Sequence, residues 1–151
     1  ISRAGIRSAL DTQVLEKRKP VLGICVGMQI MTERSEEGIE RGLGWLPADV
    51  KRFNIATSPS LMLPHMGWND VTSTSNSPLF AELELPSRFY FLHSYYVAPH
   101  RTDLTIAVSD YGGAFACAVG MENIIGVQFH PEKSHGWGIC LLKTFAEAPL
   151  C

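Results

Sequence analysis

Two short stretches of the 151-residue sequence carry side chains that could do chemistry together. The first is Leu22-Gly23-Ile24-Cys25-Val26-Gly27-Met28-Gln29, where a cysteine stands between two glycines at the end of an apolar run. Pro20 to Ile24 reads as a buried strand. Val26 to about Glu37 reads as a helix, with Met28, Ile30 and Met31 apolar and Glu33, Glu36 and Glu37 polar. Cys25 is therefore predicted on the turn between a strand end and a helix start. So sharp a turn needs residues without a Cβ close by, which Gly23 and Gly27 supply. The pattern is a strand–nucleophile–helix elbow in its G-x-C-x-G form, and it would hold the sulfur over unpaired helix N–H groups that favour a thiolate. The same residues also read as a small buried cysteine on a glycine-softened turn, the usual fate of a free cysteine.

The second stretch is the apolar strand Ile124 to Phe129, which runs into His130-Pro131-Glu132-Lys133-Ser134. A nucleophilic thiol needs a base beside it and a third group to orient the imidazole. Side chains two apart in an extended segment share a face, so Glu132 could reach the far nitrogen of His130, with Pro131 stiffening the link. Alone, such a pair also reads as a solvent-facing histidine and glutamate on a turn. Combined with the elbow it reads as a site, because both motifs fall at carboxyl ends of strands, where open α/β sheets place their sites.

The elements that must position these groups follow from periodicity. Arg3 to Lys17 is predicted as a helix with Ile6, Leu10, Val14 and Leu15 inward. Val50 to Asn54 and Asp70 to Thr74 read as short strands, Ala56 to Pro64 as a loop, and Ser77 to Phe80 as one helical turn. Arg88 to Leu92, Tyr95 to Ala98, Leu104 to Val108 and Ala114 to Gly120 read as strands, and Gly136 to Glu147 as a closing helix burying Ile139, Leu142, Phe145 or their neighbours. Helix–strand–helix order argues for an α/β core with parallel strands, while the second half lacks crossover helices and must form antiparallel hairpins. An open mixed sheet with the Cys25 strand central is expected.

Composition narrows the classes. At 46% apolar and 19% charged residues with a net charge of -2, the chain reads as one globular domain without the electrostatic footprint of a nucleic-acid or membrane-surface binder. The sequence contains neither a membrane-spanning run nor an evident signal peptide. Cys25, Cys117, Cys140 and Cys151 show no C-x-x-C spacing, which points to free thiols and a reducing, cytoplasmic setting.

Gly23, Cys25, Gly27 and Gln29 as G-x-C-x-G-x-Q, with Phe129 to Glu132 as F-H-P-E, resemble the class I (triad) glutamine amidotransferases. Leu63 to Asn69, Tyr90 to Tyr96 and Gly126 to Ser134 are similar to the glutaminase subunits that serve imidazole glycerol phosphate synthesis. The resemblance runs from about Lys19 to the C-terminus. It implies a flavodoxin-like fold, mostly parallel, with flanking helices. It also implies Cys25 as nucleophile, His130 as general base and acid, Glu132 as orienter, and no metal or cofactor. Val26 would offer its N–H to the oxyanion beside Gly27, Gln29 would contact glutamine, and Ser94, Tyr95 and Tyr96 would hold its α-carboxylate, largely through backbone groups. Ammonia would pass to a barrel-shaped cyclase in a heterodimer, across an interface near Met66, Gly67, Trp68, Asn69 and Lys133. Without the family, Gln29 is an ordinary helix residue, Trp68 equally a core indole, and Tyr90, Phe91, Tyr95 and Tyr96 core or rim aromatics.

The resemblance also departs from the family. Its first strand–helix units, with a glycine-rich loop giving the second oxyanion donor, would precede residue 1 as a piece of roughly 30 residues or more. The polypeptide as given is then expected to be a poor enzyme. His135, with Asp110-Tyr111-Gly112, looks more like paralogous subunits that supply ammonia for sugar amidation in surface-polysaccharide synthesis. Three other readings compete: a cysteine protease or amidase on an α/β scaffold, a non-catalytic remnant that only binds a partner, and a metal site from His65, His93 and His130. The last lacks helical H-x-x-x-H spacing.

Overall fold

A computed structural model describes residues 5–54, 56, 61–74, 77–83 and 86–147. A first helix, α1 (Arg7–Asp11), widens into a π-helical turn over Thr12–Glu16. The wider turn breaks the 3.6-residue phase. Val14 is accordingly buried while Ile6 and Leu15 are exposed, against the expectation of a single amphipathic face. Strand β1 (Val21–Ile24) follows, then helix α2 (Val26–Ile30) and strand β2 (Arg34–Ser35). Only Gly23 is fully buried in β1, which is less enclosed than the apolar run suggested. The helix expected to reach Glu37 stops at Ile30. Thr32 Oγ1 donates to Gln29 O at 2.8 Å, and Glu33 N and Glu36 N leave the helix to bond Ala48 O and Val50 O at 2.9 and 3.0 Å. Ladder hydrogen bonds outcompete weak local helix propensity.

The remaining strands are β3 (Ala48–Arg52), β4 (His65–Ser73), β5 (Ser87–His93), β6 (Tyr95–Pro99), β7 (Thr105–Asp110), β8 (Ala114–Met121) and β9 (Ile124–Val127), and helix α3 (His135–Glu147) closes the chain. The turn expected near Ser77 to Phe80 is a 3-10 turn over Pro78–Phe80. Part of the loop expected over 56–64, and Cys151, lie outside the described residues.

Among the described residues the strands join one open, mixed sheet in the order β2-β3-β6-β8-β7-β4-β5, with β9 linking β8 to β1. Its parallel share is smaller than "mostly parallel" implied: β1–β9 and β2–β3 run parallel and the other ladders antiparallel. A parallel pair needs a long crossover, whereas β5 and β6 are separated by Ser94 alone and β8 and β9 by Glu122-Asn123. β1 therefore stands at an edge among the described strands, with β9 its one partner, and β8 takes the central place.

Both faces of β9 are covered. Ile125 and Val127 pack with Phe89, Phe91, Phe115, Phe129 and Leu141 on one side, and Ile124 packs with Met28, Leu46, Val50 and Val97 on the other. Burial on both faces explains the unbroken apolar run. In α3 the buried positions are Gly138 and Leu141, the neighbours of Ile139 and Leu142, with Phe145 half-buried and Ile139 71% exposed. Among the described residues no helix is long and apolar enough to cross a membrane.

Candidate active site

Cys25 caps α2 with φ 50° and ψ -109°, a conformation that side chains rarely adopt and that surrounding packing must impose. Its N–H extends the β1–β9 ladder to Val127 O at 2.8 Å. The turn rests on a pair of facing glycines, Gly23 and Gly126, opposite one another in that ladder. A Cβ on Gly23 would lie 2.7 Å from the backbone of Gly27 and Met28, and one on Gly126 2.5 Å from Met28 Cγ. α2 therefore sits directly on bare backbone. At Gly27 a Cβ would meet nothing within 4 Å, so space demands only the first glycine of the elbow.

Strand β5 brings the second motif to the same place. His130 N donates to Tyr90 O at 2.8 Å, and Cys25 Sγ donates to Leu92 O at 3.8 Å. Carbonyls two residues apart leave the same strand edge about 7 Å apart. His130 Nδ1 donates to Glu132 Oε1 at 2.7 Å, while its Nε2 is buried and has no hydrogen-bond partner among the described residues. Ser134, fully buried, braces this turn: its Oγ donates to His130 O at 2.6 Å and accepts from Tyr90 N at 3.0 Å.

The sulfur's environment differs from the expectation of a thiolate favoured by the helix start. Burial pushes the Cys25 thiol up, the Val26 N–H and the Gln128 amide pull it down, and the Glu132 and Glu37 charges raise it again. A five-residue helix offers little dipole, and desolvation wins at rest. In the sequence Gln128 reads as one letter of an apolar strand; a lone amide inside such a run, two residues before the histidine, is the signal that marks it. It is fully buried, and its Nε2 donates to Cys25 Sγ at 3.6 Å.

Gln29 turns its Nε2 inward, donating to Tyr95 O and Gln128 Oε1 at 3.1 Å each. Ser94 O accepts from Phe53 N at 3.2 Å, and the half-buried rings of Tyr95 and Tyr96 pack on opposite core clusters. Beside the elbow a cavity of about 510 Å³ is lined by Val26 and Gln29 with Arg34, Glu37, Glu40 and Arg41. Met66 and Trp68 face outward from β4 opposite Leu92 and Tyr90 of β5, and Lys133 Nζ lies 5.8 Å from the Tyr90 ring centre. Gly67, between them, has φ 121°. Trp68 stacks on His135 with ring centres 5.4 Å apart and is a rim residue, not a core indole. Asn69 is committed inward, its Nδ2 donating to His65 Nε2 and Asp110 O. His65 and His93 bond each other at 3.0 Å rather than converging on His130, and the described residues hold no cluster of metal-ligating groups.

The class-I glutamine amidotransferase family matches residues 2–146. The chain is 52% identical over 147 residues to a protein of Leptospira interrogans named imidazole glycerol phosphate synthase subunit HisH, covering 97% of this chain and 72% of that one. It is 48% identical to a protein of the same name from Bdellovibrio bacteriovorus, again with 97% and 72% covered. Among solved structures it is similar to a glutamine amidotransferase of Thermotoga maritima, with TM-score 0.61, 21% identity and coverage of 92% of this chain and 52% of that one. A second glutamine amidotransferase structure gives TM-score 0.65, 16% identity and 94% and 69% coverage. A family match over nearly the whole chain and relatives near half-identity place it without ambiguity: the chain belongs to the class-I glutamine amidotransferases.

Proposed function

We propose that the chain is the glutaminase subunit of an imidazole glycerol phosphate synthase, hydrolysing L-glutamine to glutamate and supplying the ammonia to a barrel-shaped cyclase subunit in histidine biosynthesis. The observation that carries this reading is His130. It is clamped on Glu132 through Nδ1, with a buried, unpartnered Nε2, on the strand edge that also holds the Cys25 sulfur. Relatives at 48–52% identity named for that synthase support the pathway.

Cys25 gives its proton to His130 Nε2 and attacks the side-chain amide carbonyl of glutamine. The charge developing on oxygen needs a preorganised donor, and in this reading Val26 N–H, at the residue after the nucleophile, supplies it. His130, held by Glu132, passes the proton to departing ammonia. The resulting thioester is cleaved by water that the same imidazole activates. A cavity beside the elbow carrying Arg34, Arg41, Glu37 and Glu40 offers both signs of charge, as a zwitterionic amino acid requires. Because both Nε2 hydrogens of Gln29 point inward, it can offer a substrate its carbonyl oxygen. Ser94, Tyr95 and Tyr96 complete the α-carboxylate side, and Gly27 leaves the approach to Val26 open.

Ammonia that escapes to water is protonated and loses its nucleophilicity, so a sealed contact with the acceptor enzyme is needed. The outward face of β4 and β5, with Met66 60%, Trp68 38% and Leu92 37% exposed, offers an apolar surface next to the nucleophile. Lys133 flanks it over the Tyr90 ring, Gly67 joins Met66 to Trp68 along the strand, and Asn69 supports it from below. A catalytic thiol with Cys117 and Cys140 also free suits a reducing, cytoplasmic compartment.

The test is glutamate release and imidazole glycerol phosphate formation by the full chain with its cyclase, and by Cys25→Ser. Coupled formation of both products, lost in Cys25→Ser, is the expected result. Absence of glutamate release overturns the reading. Ammonia delivered only to a sugar-amidating synthetase replaces the pathway but keeps the chemistry.

A further inference from the structure

Gln128 is the member of the site that neither the elbow nor the triad explains. A fully buried primary amide must satisfy two N–H donors and an oxygen. Its Oε1 accepts from Gln29 Nε2 at 3.1 Å, and its Nε2 lies 3.6 Å from Cys25 Sγ. The orientation follows from one backbone group. Tyr95 O can only accept, so it fixes which end of the Gln29 amide faces it, at 3.1 Å. The second hydrogen of that nitrogen then requires an acceptor, which turns Gln128 Oε1 toward Gln29 and leaves the Gln128 NH₂ on the sulfur. The backbone of Gln128 is pinned as well, its N–H donating to Cys117 O at 2.8 Å.

We propose that Gln128 is a catalytic hydrogen-bond donor to Cys25, stabilising its thiolate and holding the sulfur in place for attack. The proposal rests on Cys25 being the nucleophile of the reading above. A neutral thiol gains little from a donor at sulfur, whereas a thiolate in a desolvated site needs one. Cys117, fully buried where Cys25 is half-buried, shows how strongly desolvation alone pushes a thiol up. At Cys25 the Val26 N–H also reaches the sulfur, but that group is required by the oxyanion once glutamine binds, leaving Gln128 as the donor that stays. The proton balance is unchanged: it leaves Sγ for His130 Nε2 and departs with ammonia. Each unit by which the thiol is lowered raises the thiolate fraction about tenfold. Nucleophilicity falls by only about threefold, so the net effect favours attack while the thiol titrates above working pH.

The test is the pH dependence of Cys25 alkylation by iodoacetamide in the full chain, read on the Cys25 peptide by mass spectrometry, for wild type, Gln128→Met and Gln128→Glu. The midpoint is expected to rise by about one unit in Gln128→Met, and further in Gln128→Glu, whose carboxylate still accepts from Gln29 but faces the sulfur. Glutamine kcat should fall about 3- to 10-fold in Gln128→Met with KM little changed. Unchanged midpoints in both variants overturn the proposal. If Gln128→Met does not fold, Gln128→Glu decides alone: a raised midpoint supports the proposal and an unchanged or lowered one overturns it. Alkylation needs no glutamine, so failure of the glutaminase reading would show as absent turnover with the midpoints still readable.

Discussion

The protein holds two histidine arrangements along strand β5, and they are built to opposite ends. His65 and His93 face each other across the β4–β5 ladder, 4% and 6% exposed, and every ring nitrogen is used. Tyr95 O accepts from His93 Nδ1 at 2.8 Å, so His93 Nε2 must accept from His65 Nδ1 at 3.0 Å, and His65 Nε2 from Asn69 Nδ2 at 3.2 Å. Stacked Phe91 and Tyr111 rings enclose His65. His130 is held as firmly on one side, by Glu132, and left incomplete on the other. A buried nitrogen without a partner costs stability, which a fold keeps only where a ligand or proton completes it. In the proposed mechanism the finished pair is architecture and the unfinished imidazole is the reactive one.

The largest effect separates the two directly. His130→Ala should lower glutamine turnover by about 10³-fold or more with little loss of stability. His93→Ala should cost about 2–4 kcal/mol in urea unfolding at pH 7, because it opens a cavity and strands His65 Nδ1. A His93→Ala protein as stable as wild type would break the comparison.

Acid sharpens it. Burial lowers both His65 and His93 to about 4. With the folded value below the unfolded one near 6.5, the unfolded chain binds more protons across that window. Stability is therefore full above about pH 6.5 and falls as pH drops toward 4, by on the order of 2 kcal/mol per histidine at pH 5. Urea midpoints measured at pH 7 and pH 5 check this, and equal midpoints would mean that the pair is not held neutral.

The proposed triad was legible in the sequence because each member sits beside a local signal: a glycine-flanked cysteine after an apolar run, and a histidine and glutamate spaced two apart after another. The histidine pair was not, since its partners lie 28 residues apart and meet only through the β4–β5 register. Tertiary pairing also overrode local pattern at Arg34–Ser35, where ladder bonds cut short a helix that periodicity extended. The mixed sheet was readable from the missing crossovers, but the edge position of β1 among the described strands depends on long-range pairing, with β9 its one partner there. Gln128 hid because strand patterning counts apolar letters and treats one amide among them as noise.

The smallest effect concerns what steadies the unfinished imidazole. Ser134 Oγ joins His130 O to Tyr90 N, tying the His130 turn to β5. Ser134→Ala leaves Tyr90 N without its acceptor and should cost about 1–2 kcal/mol in urea unfolding. Because Glu132 still orients the imidazole, turnover should fall only several-fold, far less than in His130→Ala, and in kcat more than in KM. Loss of turnover as deep as that of His130→Ala in a folded Ser134→Ala protein would place the reactive geometry in the brace and not in the Glu132 contact.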